Sequence, residues 1–432
     1  MWEGSSPARF SPLGRWRKNM SKPPNSPFMD VDAIVIGGGP AGATMALLLA
    51  RANWSVAVVE KSVFPRKKVC GEYLSATNQP LWRELGLDRE IMANAGPEIS
   101  EVGLFASESV LTAKLPRPRG YGWGRALGRD QLDALILSHA GREGATILQP
   151  FAAIELIAHD GEFHCKVVEK NKSGSEPPRT IKAPIAIAAH GSWEPGSLPT
   201  QPGRDASRPG DLLAFKARFL ESALPEELMP ALIFPGGYGG MVHSDRGRAT
   251  LSCCIRRQVL QQIRHEMPQV AAGDALLAHI SAHCRGVREA LRNATIEDAW
   301  LASGPIRPGI RGTFSNGVFL IGNAAGEAHP IIAEGISMAI QSAWILSNLL
   351  IAARADGRDS LWVRRRYAAL WKTTFRQRIR VSAVLAHLAL KPAWVRALLP
   401  LLQSCPSLLS IGAQLSGKAN VRAFALPAGI PR

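Results

Sequence analysis

Cysteine is scarce and unpatterned in this 432-residue sequence: Cys70, Cys165, Cys253, Cys254, Cys284 and Cys405 form no CxxC pair, and Cys253 and Cys254 are adjacent. The spacing indicates neither a zinc site nor a disulfide framework, so no metal is expected and a reducing cytoplasm is the compartment implied. The N-terminus has no apolar stretch of the secretory kind; Met1–Phe28 is rich in Ser, Pro and Arg and reads as a flexible basic tail. Long apolar runs are few. Ile336–Ala353 and Ala397–Gly417 carry no charge, but Gln341, Ser342, Ser347 and Asn348 dilute the first, and Pro400 and Pro406 break the second. Neither reads as a membrane-spanning helix. Acidic residues are sparse at both ends. Residues 1–29 hold five Lys/Arg against Glu3, and residues 354–432 hold fourteen against Asp356 and Asp359, which accounts for the whole net charge of +16. The body between them is neutral, which argues against nucleic acid as a partner.

What is present is a globular composition, 46% apolar and 20% charged, in a chain long enough for more than one structural unit. Val31–Ile36 is a β-branched apolar run that ends in glycines; Ala41–Arg51 is a strong helix former, and Ser55–Glu60 is a second apolar strand. Between them Gly37, Gly39 and Gly42 fit GxGxxG. The first glycine permits a tight turn, the second lets a pyrophosphate approach the backbone, and the third lets helix and strand pack closely. Phosphates placed there meet the free N–H groups of a helix N-terminus. Glu60 closes the second strand about 20 residues further on, where a carboxylate bridges the ribose hydroxyls of an adenosine and repels a 2′-phosphate. Ala145–Ala158, Glu162–Glu169 and Thr180–Ala189 read as a three-stranded antiparallel excursion, Asp211–Leu220, Ala231–Phe234 and Ala249–Arg256 as further sheet, Gly317–Gly322 as a buried parallel strand, and the chain from Ile336 onward as helical.

Several separated motifs resemble those of the glutathione-reductase-type flavoproteins that include the class A flavin monooxygenases and the geranylgeranyl reductases. Lys68-Val69-Cys70-Gly71-Glu72 is similar to K-x-C-G-G/E, and Arg129 with Leu132 and Asp133 to R-x-x-L/F-D. Pro235–Gly239 resembles a glycine-tyrosine sheet motif. Phe319–Gly326, followed by Pro330 and by Glu334-Gly335-Ile336, is similar to G-D-A-A-G-x-x-x-P-x-x-G-E-G-I. The sequence departs from these patterns at Asn323, in place of Asp, at Ala333, in place of Gly, and at His190-Gly191, in place of an Asp-Gly pair associated with NAD(P)H. The resemblance implies an α/β fold: a Rossmann-type FAD-binding domain (30–97, 120–200 and 300–353), an inserted mixed β-sheet substrate domain (98–119 and 201–299), a tail over 1–29 and a basic helical C-terminal extension over 354–432. It implies FAD, with NAD(P)H as electron donor, held by Gly37, Gly39, Pro40, Ala41, Gly42, Glu60, Lys61, Cys70, Gly71, Arg129, Ala153, Gly322, Asn323, Pro330, Gly335 and Ile336.

Cys70 reads either as a proton donor beside the flavin or as a small residue in a tight turn, and Glu334 either as a substrate-pocket carboxylate or as a helix cap; both are candidate catalytic residues. Arg129 at a helix start is unfavourable unless an anion offsets it. His190 and His329 read as structural. The expected enzyme hydroxylates or epoxidises a hydrophobic substrate of polyketide-aromatic or prenyl type, free or carrier-bound. Alkene reduction of a lipid is the alternative, and a non-catalytic binding protein is the rival from another class. The W-x-W-x-I-P of flavin halogenases is absent; Tyr121-Gly122-Trp123 does not supply it. The C-terminal arginines, with the leucines and Trp394 that follow, read as a packed helical face or as a contact for an anionic membrane or an acyl carrier protein.

Overall fold

A computed structural model describes residues 28–170, 177–191, 195–201, 203 and 206–416. Ala33–Ile36, Val56–Val59 and Ile185–Ala188 are entirely buried, the signature of strands covered on both faces. They are the centre of a six-stranded sheet in the order Phe314–Ser315, Val318–Leu320, Ile185–Ala188, Ala33–Ile36, Val56–Val59 and Thr146–Leu148. All its pairings are parallel except that of the edge strand Phe314–Ser315. The helix Pro40–Arg51 starts where Ala33–Ile36 ends and packs along Gly335–Asp356, so the first and last parts of this domain are joined helix to helix.

The excursion expected from Ala145 to Ala189 is divided between two sheets. Pro150 and Pro184 cannot donate to a ladder, and at each of them the chain changes sheet. Thr146–Leu148 and Ile185–Ala188 belong to the parallel sheet, whereas Phe151–His159, Glu162–Glu169 and Arg179–Ala183 form a separate one. Phe28–Asp30 adds to that second sheet, parallel to Arg179–Ala183. Phe28 and Met29, assigned to the tail on sequence, are therefore strand; the rest of that tail lies outside the described residues.

The third sheet has eight strands. Glu101–Ala106 and Ser109–Lys114 come from one part of the chain, and Leu212–Leu220, Leu228–Phe234, Gly237–His243, Ala249–Arg256, Thr295–Ile296 and Leu301–Ile306 from another. Glu101–Ala106 pairs parallel to Leu228–Phe234, which makes the sheet mixed. On one face it buries Phe215, Leu232 and Leu251 against Leu260, Ile263, Leu276 and Ile280 of two covering helices. Its other face looks toward the parallel domain.

Beyond Gly357 the helix Ser360–Ala389 packs along Gly335–Asp356 and buries Val363, Tyr367, Trp371 and Phe375, four residues apart, in the core of the parallel domain, while Arg364, Arg365 and Arg366 are exposed. The chain then bends by 101° into Pro392–Ser404, and Ser407–Leu415 returns onto Glu101–Ala106 and Ser109–Lys114. Among the described residues one single helix, Gly335–Asp356, is long and apolar enough to cross a membrane, and 83% of its most apolar window is buried inside the protein.

Candidate active site

The parallel and mixed sheets enclose a cavity of about 660 Å³. At one end lies the glycine turn. Gly37 has φ +106°, open to glycine alone without strain, and a Cβ on Gly42 would run into the Gly37 carbonyl. Gly42 therefore packs helix on strand and does not itself line the cavity, whereas Gly37, Gly39, Pro40 and Ala41 do. Glu60 accepts hydrogen bonds from Gly38 N at 2.8 Å and Ser62 N at 2.9 Å, which fixes its carboxylate at the cavity edge. Lys61 and Ala153 line the same end.

Cations converge on this turn. A Cβ placed on Gly39 would lie in contact with two cations, 3.7 Å from an Arg66 nitrogen and 3.8 Å from an Arg129 nitrogen. Arg129 is clamped by Asp133, with Nε to Oδ1 at 2.7 Å and a terminal nitrogen to Oδ2 at 2.8 Å, and Arg66 lies 3.5 Å from the same carboxylate. Glu60 lies 3.9 Å from Arg66, so two carboxylates face two guanidinium groups and the Lys68 ammonium, and Arg66 Nε has no hydrogen-bond partner among the described residues. Burial first, then Arg66 and Arg129, lowers the Lys68 pKa to about 8. A buried excess of positive charge beside open backbone N–H groups is what a diphosphate requires. The sequence placed Arg129 here and set Lys68 in a motif without a role; Arg66 carries no local signal.

At the other end Gly322, Asn323, Pro330, Gly335 and Ile336 line the cavity. Nothing lies within 4 Å of a Cβ built on Gly335, the first residue of a 22-residue helix whose N-terminal dipole faces that open space. Ala333 occupies the left-handed region at φ +53°, which explains why glycine stands there in the pattern it resembles. A cavity with phosphate-binding charge at one end and a helix N-terminus at the other fits FAD, whose diphosphate and ring system are far apart.

Cys70 and Gly71 line the middle. The Glu72 amide donates to Cys70 Sγ at 3.4 Å, and the Arg129 and Lys216 cations lie within electrostatic reach of that sulfur. Glu72 is wholly buried and holds the cations in place: it accepts from Lys216 Nζ, from Arg218 at 2.6 Å, from Thr250 Oγ1 at 2.7 Å and from the Arg129 amide at 3.1 Å. Burial opposes its ionisation, but Lys216 and Arg218 outweigh burial and hold it below the carboxylate range.

Glu334 does not behave as either sequence reading expected. It is 1% exposed, does not line the cavity, and makes no side-chain cap although it is the N-cap residue. Its carboxylate points into the protein, 4.0 Å from Arg378 and near Tyr73. His190 is held by Thr200 Oγ1 at 2.9 Å at the cavity edge. His329 lines the cavity too, 3.0 Å from the Tyr238 hydroxyl, and burial lowers its pKa. The far wall was not legible: Leu385, Leu388, Leu398, Leu399, Leu402 and Leu409, from the last three helices, complete the cavity beside the mixed sheet on which those helices pack.

Comparison with known proteins agrees with this geometry. The family described as "FAD binding domain" matches residues 30–368. Digeranylgeranylglycerophospholipid reductase 2 of Methanopyrus kandleri is 23% identical over 384 residues, covering 84% of this chain and 88% of that one. Conditioned medium factor receptor 1 of Dictyostelium discoideum is 24% identical over 391 residues, covering 86% and 73%. The myxobacterial chondrochloren halogenase shares the fold at a TM-score of 0.73 and 18% identity, covering 90% and 91%. The match over most of the length, on a cavity shaped for the flavin at both ends, means that this chain belongs to the FAD binding domain family and is an FAD-dependent oxidoreductase.

Proposed function

We propose that this oxidoreductase uses NAD(P)H to saturate carbon–carbon double bonds of a long, uncharged, prenyl-type lipid. The observation that carries the reading is the position of Cys70, a free half-buried thiol in a cavity whose far wall is leucine. FAD held there and reduced by NAD(P)H would supply a hydride to one alkene carbon, itself returning to the oxidised form, and the other carbon would need a proton. Cys70 Sγ lines the cavity and is placed to give it, with the Arg129 and Lys216 cations within electrostatic reach of the sulfur. Glu72 holds the Lys216 ammonium and Asp133 holds the Arg129 guanidinium beside it. The leucines bind the chain and exclude water, which raises the strength of each charge interaction inside. The reductase named above, similar over most of its length, supports a lipid substrate.

Oxygen insertion into the same substrate, the reaction ranked first on sequence, is the second reading; the dry wall favours it, because a reduced flavin shielded from water holds oxygen chemistry longer. Anaerobic turnover separates the two. With NADH or NADPH and a polyprenyl lipid under argon, the saturated product is expected, and Cys70→Ala is expected to slow its formation about 10²-fold or more without loss of flavin colour. Product formed only in air, carrying an added oxygen, would overturn the reduction; Cys70→Ala turning over at the wild-type rate would remove the thiol from it.

A further inference from the structure

The Pro392–Ser404 and Ser407–Leu415 helices are apolar on two sides. Their inner sides line the cavity through Val395, Leu398, Leu402 and Leu409. Their outer sides carry Trp394, Leu401, Ile411 and Leu415, exposed at 51, 54, 49 and 58%, and Val384 near the end of the preceding helix is exposed at 60%. A helix that packs one side on a protein and turns the other to water keeps polar residues on the outer side. Here large apolar side chains occupy it. The charge around them has one sign: from Ser360 to Arg432 the sequence contains twelve Lys/Arg and no Asp or Glu. Lys391, at the N-cap of Pro392–Ser404, and Arg396 within it are both exposed. Apolar side chains that reach acyl-chain depth, with a tryptophan and cations at headgroup level, match an anionic bilayer. An acidic carrier protein would satisfy the cations and leave most of this apolar area in water.

We propose that the outer faces of these two helices dock on an anionic phospholipid bilayer, setting the leucine wall of the cavity against the lipid so that substrate moves between membrane and flavin site without crossing water. The passage of substrate rests on the lipid reading above; the docking does not.

The test is flotation of the full-length holoprotein with vesicles of phosphatidylcholine alone and of phosphatidylcholine mixed with phosphatidylglycerol, with no substrate present. The protein is expected to rise with the anionic vesicles and to stay behind with the neutral ones. Trp394→Glu combined with Leu401→Glu, neither of which lines the cavity, is expected to abolish flotation while flavin absorbance and melting temperature stay at wild-type values. Lys391→Glu combined with Arg396→Glu is expected to weaken vesicle binding at least about ten-fold. The proposal is overturned if the wild type ignores both kinds of vesicle, or if both variants float as the wild type does. Retention by an acidic acyl carrier protein with no vesicle binding also overturns it, by assigning the face to a protein. A chain that floats with anionic vesicles but reduces no lipid alkene would sustain the docking and sink the substrate reading, so the two fail separately.

Discussion

Burial, reinforced by Arg66 and Arg129, puts the Lys68 ammonium at a pKa of about 8 in the flavin-free protein. A diphosphate brought beside it favours the charged form and raises that value. Below pH 8 the lysine is already protonated and FAD binds at full strength; above it, binding must take up a proton, so affinity falls by up to about ten-fold per pH unit until the bound-state pKa is reached. Titrating the apoprotein with FAD by fluorescence quenching from about pH 7 to pH 10 checks this. Lys68→Met is expected to bind more weakly at pH 7 and to lose the slope, and a wild-type affinity flat across that range would refute the assignment. Gly37, Gly39, Gly42 and Glu60 are legible in the sequence because backbone conformation and one strand's length dictate their spacing. Arg66 is not, and the role of Lys68 is not although a motif contains it, because a loop of basic residues looks the same in sequence whether it faces water or an anion. Glu334 misleads for the opposite reason: a motif marks where it stands in the chain and not which way its side chain turns.

Glu72 works between elements, tying a loop of the parallel domain to Lys216 and Arg218 on the strand Leu212–Leu220 and to Thr250 on Ala249–Arg256. Removing its charge leaves Lys216 buried without a counter-ion, so Glu72→Gln is expected to cost about 3 kcal/mol in chemical denaturation at neutral pH. The sign with pH follows from the depressed folded-state pKa: the wild-type margin is full above the unfolded carboxylate value of about 4.3 and shrinks as pH falls through the folded one. Equal stabilities at pH 7 would show the network to be neutral. Most elements here are legible from apolar periodicity, but which sheet a strand joins is not. Thr180–Ala189 reads as one run and only Pro184 marks where it crosses from one sheet to the other, as Pro150 does within Ala145–Ala158.

At the scale of the molecule the net charge is divided: a neutral body holds the flavin residues, and a terminal stretch without acids supplies the far wall. That division is plain in the sequence. The role of the leucines is not, since a leucine facing a cavity and one facing a neighbouring helix have the same spacing. Leu398→Asp combined with Leu402→Asp is expected to leave flavin content and reduction by NAD(P)H unchanged and to raise the KM for a polyprenyl lipid about ten-fold or more, because a buried unpaired carboxylate excludes the chain. Loss of bound flavin in that variant would show that the wall also supports the cofactor. The order in which the wall and the flavin residues occur along the chain has a temporal consequence. A ribosome delivers Gly37 to Ile336 before Leu385 to Leu409, and domains fold in that direction as they emerge. The residues of the coenzyme groove therefore emerge before those of the wall, so the prosthetic group can meet them from the side while the last two helices are still being made.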